Sequence, residues 1–427
     1  MKVYLDTIGC RLNQSEIERF GREFRRAGVQ LTARPEDADL GVINTCAVTA
    51  RASSDSRTKA RQVAERVGQG IILTGCWSTV NPRDASSMPN VLKVISNAEK
   101  GELVPQSLPV EAIKSEKGLL AREPLPGLRS RTRAFIKVQD GCDLHCTYCI
   151  TTIARGAGRS MPTEQIVDDI QYARRGGAKE AVLTGVHLGS WGSDLDPAQS
   201  LEQLLHDILN YTDIPRLRLS SIEPWDLNPE LFSLWENPRL CRHLHLPIQS
   251  GSDRILRRMA RRTTIAEFTK LVAGARNRIP DLAITTDIIV GFPGESDQDF
   301  ERSRALLDEL SFSGGHIFTY SERKGTAAAR FRGRVPTKVR KQRSALLRAK
   351  LQKSAERFRI QQLDTPQSVL WEGIAGSGPQ GFELRGWTDN YIRVQLTSPR
   401  NLSNEITRVR LQGFSPDRQT MQVEVLD

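Results

Sequence analysis

Three cysteines fall close together in the segment Gly141-Cys-Asp-Leu-His-Cys-Thr-Tyr-Cys149, directly after the strand-like run RAFIKVQD. Their spacing, Cys-x3-Cys-x2-Cys, puts the thiolates of Cys142, Cys146 and Cys149 on one tight loop. An iron–sulfur cubane is normally held by four Cys thiolates. Three ligands leave one iron open, and an open metal position is what a bound substrate requires. Structural zinc is the rival, and it needs four ligands closing a tetrahedron. His145 is the obvious fourth, yet it immediately precedes Cys146, and adjacent residues on a tight loop rarely both reach one metal. The chemistry expected here is that of a cluster with a free corner.

Cys10, Cys46 and Cys76 are far apart in sequence but share a context: each ends a strand-like run, VYLDTIGC, DLGVINTC and IILTGC. In a parallel sheet the C-terminal strand ends lie along one edge, where such folds bind ligands. Cysteine is also common in buried strands, which explains one such residue better than three at one address. A second cluster site is expected there, again with one iron open. Cys241 is isolated before a strand and reads as structural.

These residues must be held by elements. The first ~100 residues alternate buried strand patterns with amphipathic stretches such as SEIERFGREFRRAG, a parallel α/β arrangement. From about 101 to 133 the pattern gives way to Pro, Gly and charge, as in EPLPGLRSRTR, which reads as a linker. Six further strand candidates follow: RAFIKVQD, EAVLTGV, RLRLSSI, HLHLPI, AITTDIIVGF and GGHIFTY. Helical stretches between several of them make a partial (βα)6 barrel, with its site at the C-terminal strand ends. A basic helix comes next, with Pro336 at its start and Val339, Leu347, Leu351 and Phe358 as an intermittent apolar face. Five short β-like runs then read as a small antiparallel barrel. The domain boundaries expected are 1–115, 128–360 and 363–427.

Of the chain's 427 residues, 38% are apolar and 26% charged, an ordinary soluble balance. No apolar run approaches the ~18–20 residues that cross a bilayer, and the opening MKVYLDTIGC reads as a strand and not a signal peptide. A cytoplasmic protein without a membrane partner is expected. The seven cysteines are then free for metal and do not form a disulfide framework. The net charge of +11 suggests a polyanionic partner. From Arg330 to Ile360 there are 12 Lys/Arg against one acid, whereas from Gln361 to Asp427 there are six against eight. Phosphate contacts are therefore expected on the basic helix, on Arg254, Arg257, Arg258, Arg261 and Arg262, and on Arg129, Arg131 and Arg133, ahead of the terminal barrel.

The Cys-x3-Cys-x2-Cys loop, with Tyr148 before its last Cys, resembles that of the radical S-adenosylmethionine enzymes. With Cys10, Cys46 and Cys76 added, the chain resembles their methylthiotransferase branch over nearly its whole length. The supporting stretches are TIGCRLNQSE, NTCAVTARASSDSR, KVQDGCDLHCTYCI, ARGAGRS, LTGVHLGSWG, SSIEP, HLHLPIQSGS, TTDIIVGFPGE and FTYSERKGTAAA. The resemblance implies two [4Fe–4S] clusters, S-adenosylmethionine and a C-terminal TRAM β-barrel. It implies that one cofactor molecule gives methyl to sulfur on the auxiliary cluster. A second is cleaved to a 5′-deoxyadenosyl radical that takes hydrogen from the substrate. It also implies an external electron donor such as a flavodoxin or ferredoxin, with the sulfur donor unknown.

By the same resemblance, the adenosyl group is expected against Arg155, Gly156, Thr184, Gly185, Ser221, Glu223, Gln249 and Asp287. Gly291-Phe292-Pro293-Gly294 resembles the adenine-side element, or is an ordinary turn. Lys137 and Gln139 are placed to order the cluster loop, and His187 to contact substrate; His206, His243 and His316 read as packing or surface. Trp387, Asn390 and Tyr391 match a TRAM strand start that would stack on bases or serve as core. HLHLPIQSGS is similar to the tRNA-acting members. NTCAVTARASSDSR and TGVHLGSWG look like the subgroup that acts on N6-threonylcarbamoyladenosine in the anticodon arm, at C2 of position 37. N6-isopentenyladenosine is the close alternative. A ribosomal protein aspartate and a non-catalytic RNA-binding redox sensor are remoter ones, and Thr263 departs from the Tyr common after the Met-x-Arg-x element.

Overall fold

The computed structural model describes residues 1–108, 121–126, 132–416 and 418–426. Much of the expected linker, with Arg129 and Arg131, lies outside the described residues.

In the N-terminal body five parallel strands form one sheet, in the order Gln30–Thr32, Lys2–Thr7, Leu40–Thr45, Gly70–Gly75, Val91–Val94. The two strands Leu40–Thr45 and Gly70–Gly75 are buried at every residue, as a parallel sheet covered on both faces requires. Successive side chains point to opposite faces. Val42 and Ile72 accordingly pack with Ile17, Phe20 and Phe24 of helix Arg11–Arg26. Ile43, Ile71 and Leu73 pack on the other face with Ala60 and Val63 of helix Ala50–Ala64.

Six parallel strands then follow in chain order: Arg133–Lys137, Glu180–Thr184, Arg216–Leu219, His243–His245, Ala283–Val290 and Gly314–Thr319. Each lies within one of the six predicted segments. The third and fourth meet only through the bridges Leu217–Leu240 and Ser221–His245, and the whole is an open, partial barrel. Helices Thr163–Arg175, Leu201–Tyr211, Ile265–Arg278 and Asp297–Glu309 alternate with the strands; Thr264 with Glu267 and Ser296 with Asp299 form capping boxes that start the last two. The basic helix, Thr337–Gln361, has Pro336 as its N-cap and buries Leu347 and Leu351 in the same core as the barrel.

The last five strands, Pro366–Gly378, Gly381–Thr388, Arg393–Ser398, Ile406–Phe414 and Met421–Val425, close into a barrel around Val369, Trp371, Leu384, Val394, Val409 and Leu411. It is not wholly antiparallel. Four pairings are, but Arg393–Ser398 closes on Met421–Val425 in parallel, because alternating directions cannot close a ring of five. This small barrel docks under the N-terminal ends of the large barrel's strands. Arg133 pairs with Glu372 at 2.7 Å, Arg242 with Asp389 at 2.6 Å, and Arg216 donates to the Trp387 carbonyl at 3.1 Å. Among the described residues, no helix is long and apolar enough to cross a membrane.

Candidate active site

The triplet loop is built from its flanks. Gln139–Asp140 pairs with Arg159–Ser160, so the chain leaves and returns at one place. Gly141 makes the turn at φ +72°, where a Cβ would collide with the Ala157 carbonyl. Gln139 then fastens the loop to the next strand: its Nε2 donates to the Gly141 carbonyl at 2.9 Å, and its Oε1 accepts from Val186 and His187 amides at 2.9 Å. Lys137 holds Asp140 at 2.5 Å. Backbone amides of Leu144 and Thr151 point at Cys142 and Cys149 Sγ, both at 3.4 Å. Tyr148 joins buried Phe292 edge-on at 6.5 Å, in an aromatic group with buried Tyr320 and half-buried Phe331. Phe292 of the Gly-Phe-Pro-Gly element therefore packs behind the loop.

The second trio sits on three neighbouring strands. Cys10 is the N-cap of helix Arg11–Arg26, Cys46 follows Leu40–Thr45, and Cys76 opens helix Cys76–Val80. Gly9, at φ +118°, lies so close to Cys46 that a Cβ would come within 2.7 Å of that side chain. All three cysteines line one cavity of roughly 710 Å³, together with Thr184, Gly185, Ser221 and Asp287 from the barrel. That volume is within the usual range for a ligand site.

A buried charge cluster joins the two halves. Glu16 accepts from Arg155 at 2.9 Å, Lys100 at 2.5 Å and Lys137 at 3.5 Å. Arg155 also holds Asp140 at 2.7 Å and Asn13 Oδ1 at 2.7 Å. Burial by itself would raise the Glu16 carboxyl, but its three cations hold it well below the usual range. Arg155 lines the cavity, yet its guanidinium is committed to this cluster.

Residues 136–307 match the model of the Radical SAM superfamily, and residues 2–96 that of Uncharacterized protein family UPF0004. Over 423 residues the chain is 36% identical to Threonylcarbamoyladenosine tRNA methylthiotransferase MtaB of Thermotoga maritima, covering 97% of this chain and 95% of that relative. The chain belongs to the radical S-adenosylmethionine methylthiotransferases. It is 31% identical over 431 residues to tRNA-2-methylthio-N(6)-dimethylallyladenosine synthase of Geobacillus thermodenitrificans, covering 96% of this chain and 81% of the relative. The radical S-adenosylmethionine methyltransferase TsrM of Kitasatospora setae shares the fold, with a TM-score of 0.56 at 13% identity over 74% of this chain and 72% of that one.

A radical S-adenosylmethionine methylthiotransferase works with a [4Fe–4S] cluster and S-adenosylmethionine, and the residues present fit both. Among the described residues, no three His, Cys, Asp or Glu side chains close around one ion. A cubane sets its thiolates on separate iron corners, further apart than the ligands of a single ion. Burial pushes the Cys46 and Cys146 thiols up to about 11, with Arg261 opposing it at Cys146. Such thiols stay protonated at neutral pH unless a metal displaces the proton. Three residues of the cavity lining also hold a buried polar atom with no hydrogen-bond partner among the described residues: Asp287 Oδ1, Ser220 Oγ and His243 Nδ1.

Not every expected residue reaches the cavity. Gly156 caps helix Thr151–Arg155, Glu223 is held by Arg261 at 2.5 Å beside Cys146, and Gln249 bridges to Ile288 at φ +75°. His187 does not line the cavity. It bonds Asp226 at 2.7 Å and Cys142, which outweigh burial and raise its pKa to about 10. His206 is exposed and Cys241 is buried against Glu180. His243 and His316, expected as packing or surface, line the cavity with His245. The signal was the strand His243–His245: residues two apart share a face, and here that face is the barrel interior.

The terminal barrel also enters the site. Trp387 and Tyr391 line the cavity; Tyr391 stacks on Trp387 at 4.6 Å and on His243 at 4.3 Å. Neither belongs to the terminal barrel's own core. Asn390 is buried, donating to Gln362 Oε1 at 3.1 Å. Several expected phosphate contacts are committed elsewhere: Arg133 to Glu372, Arg254 to Asp299, Arg261 to Glu223, and Arg258 to the Pro293 carbonyl. Arg257 and Arg262 remain exposed.

Proposed function

We propose that this enzyme inserts a methylthio group at C2 of N6-threonylcarbamoyladenosine, at position 37 beside the tRNA anticodon. One observation carries the reading: Cys10, Cys46 and Cys76 share a cavity with the polar strand ends of the radical barrel. A sulfur-bearing centre and a radical-generating centre can then address one carbon. The threonylcarbamoyladenosine tRNA methylthiotransferase of Thermotoga maritima is 36% identical, against 31% for the dimethylallyladenosine synthase, which favours the threonylcarbamoyl substrate.

Cys142, Cys146 and Cys149 would hold a cluster able to supply the electron for S-adenosylmethionine cleavage, and Cys10, Cys46 and Cys76 would hold a second able to supply sulfur. The protein's own work is placement. Thr184, Gly185, Ser221 and Asp287 offer the cofactor polar contacts, while Gln139 and the Leu144 and Thr151 amides fix the cluster loop. The external electron donor is of the flavodoxin or ferredoxin class. Mass spectrometry of tRNA nucleosides from cells lacking the protein tests the proposal. Loss of 2-methylthio-N6-threonylcarbamoyladenosine, with its unmethylthiolated precursor accumulating, is expected. Loss of the isopentenyl product instead would reassign the substrate.

A further inference from the structure

The two candidate adenosines differ in one decisive respect. The threonylcarbamoyl group ends in a carboxylate and a hydroxyl, whereas the isopentenyl group is a hydrocarbon. A site for the first needs a cation with no acid of its own.

Arg11 meets that description. It immediately follows Cys10, lines the cavity and is half-buried. Its only side-chain hydrogen bond among the described residues is from Nη2 to the Tyr391 hydroxyl at 2.7 Å, and no carboxylate pairs with it. The other arginine in the lining, Arg155, is occupied by Glu16 and Asp140. The single carboxylate in the lining, Asp287, faces His245 at 3.4 Å. Among the described residues, no carboxylate thus offsets this guanidinium, and its remaining donors are uncommitted.

Tyr391 holds this guanidinium in place. It sits at φ +65°, a conformation that bulky side chains rarely adopt and that persists only where the surroundings fix it. They do: Arg216 and Arg218 donate to the carbonyls of Trp387, Thr388 and Asp389, and Arg242 grips the Asp389 carboxylate. The Tyr391 ring lies between Trp387 and His243 and directs its hydroxyl at Arg11.

We propose that Arg11, held by Tyr391 of the terminal barrel, binds the threonyl carboxylate and so selects this adenosine over apolar alternatives. The inference rests on the substrate reading above. The chemistry of the nucleoside agrees with the placement. The ureido N–H that carries the threonine can hydrogen-bond N1, folding the threonyl group along the edge that bears C2. A carboxylate anchor is then needed next to the sulfur-delivering centre, and Arg11 is the neighbour of Cys10.

The test uses the anaerobically reconstituted full-length enzyme and anticodon stem-loop RNAs that differ only in the N6 group: threonylcarbamoyl, its methyl ester, or isopentenyl. Kd is read by fluorescence anisotropy, beside kcat and KM. A charge-assisted bidentate contact makes capping the carboxylate weaken wild-type binding roughly 10- to 100-fold. Arg11→Gln should bind acid and ester alike, at the affinity wild type has for the ester. Arg11→Lys should keep part of the preference, and Tyr391→Phe should lose part of it through KM. Equal wild-type affinity for acid and ester overturns the proposal, and needs no variant to fold. So does an Arg11→Gln enzyme that keeps the preference while losing affinity for S-adenosylmethionine, since Arg11 would then serve the cofactor's carboxylate. Failure of the substrate reading looks different: wild type turns over the isopentenyl RNA and leaves the threonylcarbamoyl one unchanged.

Discussion

Glu16 is 3% exposed and surrounded by Arg155, Lys100 and Lys137, which come from three separate parts of the chain. Removing one member of such a cluster leaves charges buried without compensation, which costs about 3–5 kcal/mol. Glu16→Gln is therefore expected to lower stability by that amount in a urea or thermal melt, and to loosen the triplet loop through Asp140. The cysteines make a separable prediction. With both clusters formed the enzyme should hold about eight irons, four per cubane; Cys76→Ala should leave about four and still cleave S-adenosylmethionine. Cys142→Ala should leave about four and release no 5′-deoxyadenosine. An iron assay and chromatography of the products distinguish the two. The cysteines were legible because residue type and strand-end position recur three times. Glu16 was not, because its partner Arg155 lies 139 residues away and nothing local marks the acid as buried.

Among the elements, the basic helix Thr337–Gln361 shows how far local composition reaches. Its nine Lys/Arg against one acid read as an exposed cationic rod, yet several of these cations are structural. Arg343 is buried against Glu295 at 2.6 Å, Lys350 pairs with Asp308 at 2.5 Å, and Arg340 and Arg348 donate to the Tyr320 and Ile317 carbonyls. The apolar residues did identify the inward face: Leu347 is fully buried in the barrel's core. Leu347→Ala should destabilise the enzyme by about 2–5 kcal/mol, seen as a lower urea midpoint with iron content unchanged. The six barrel strands were legible from their apolar runs. The edge strands Gln30–Thr32 and Val91–Val94 were missed because they are short and contain no buried residue, so no alternation marks them. The parallel closure of the terminal barrel depends on which strands meet, which no single run records.

For the molecule as a whole, the site belongs to no single body: the N-terminal sheet, the radical barrel and the terminal barrel each line the same cavity. The terminal barrel reaches it through Trp387 and Tyr391, so its contribution is made inside the site as well as on any RNA-binding surface. The cations left for phosphate are then those without protein partners. Lys338, Lys341, Lys353 and Arg357 are exposed on the basic helix and make no ion pair among the described residues. Each phosphate neutralised by such a residue contributes about −0.7 to −0.9 to the slope of log K against log salt. Replacing all four by Gln should therefore weaken tRNA binding and flatten that slope by roughly 3, while the preference for the acid over its ester stays unchanged. Arg11→Gln should do the reverse, removing the preference and leaving the salt slope almost intact. Filter binding of tRNA across a salt series, run on both variants, measures the two effects independently. A slope unaltered by the fourfold change would move the RNA contact off this helix.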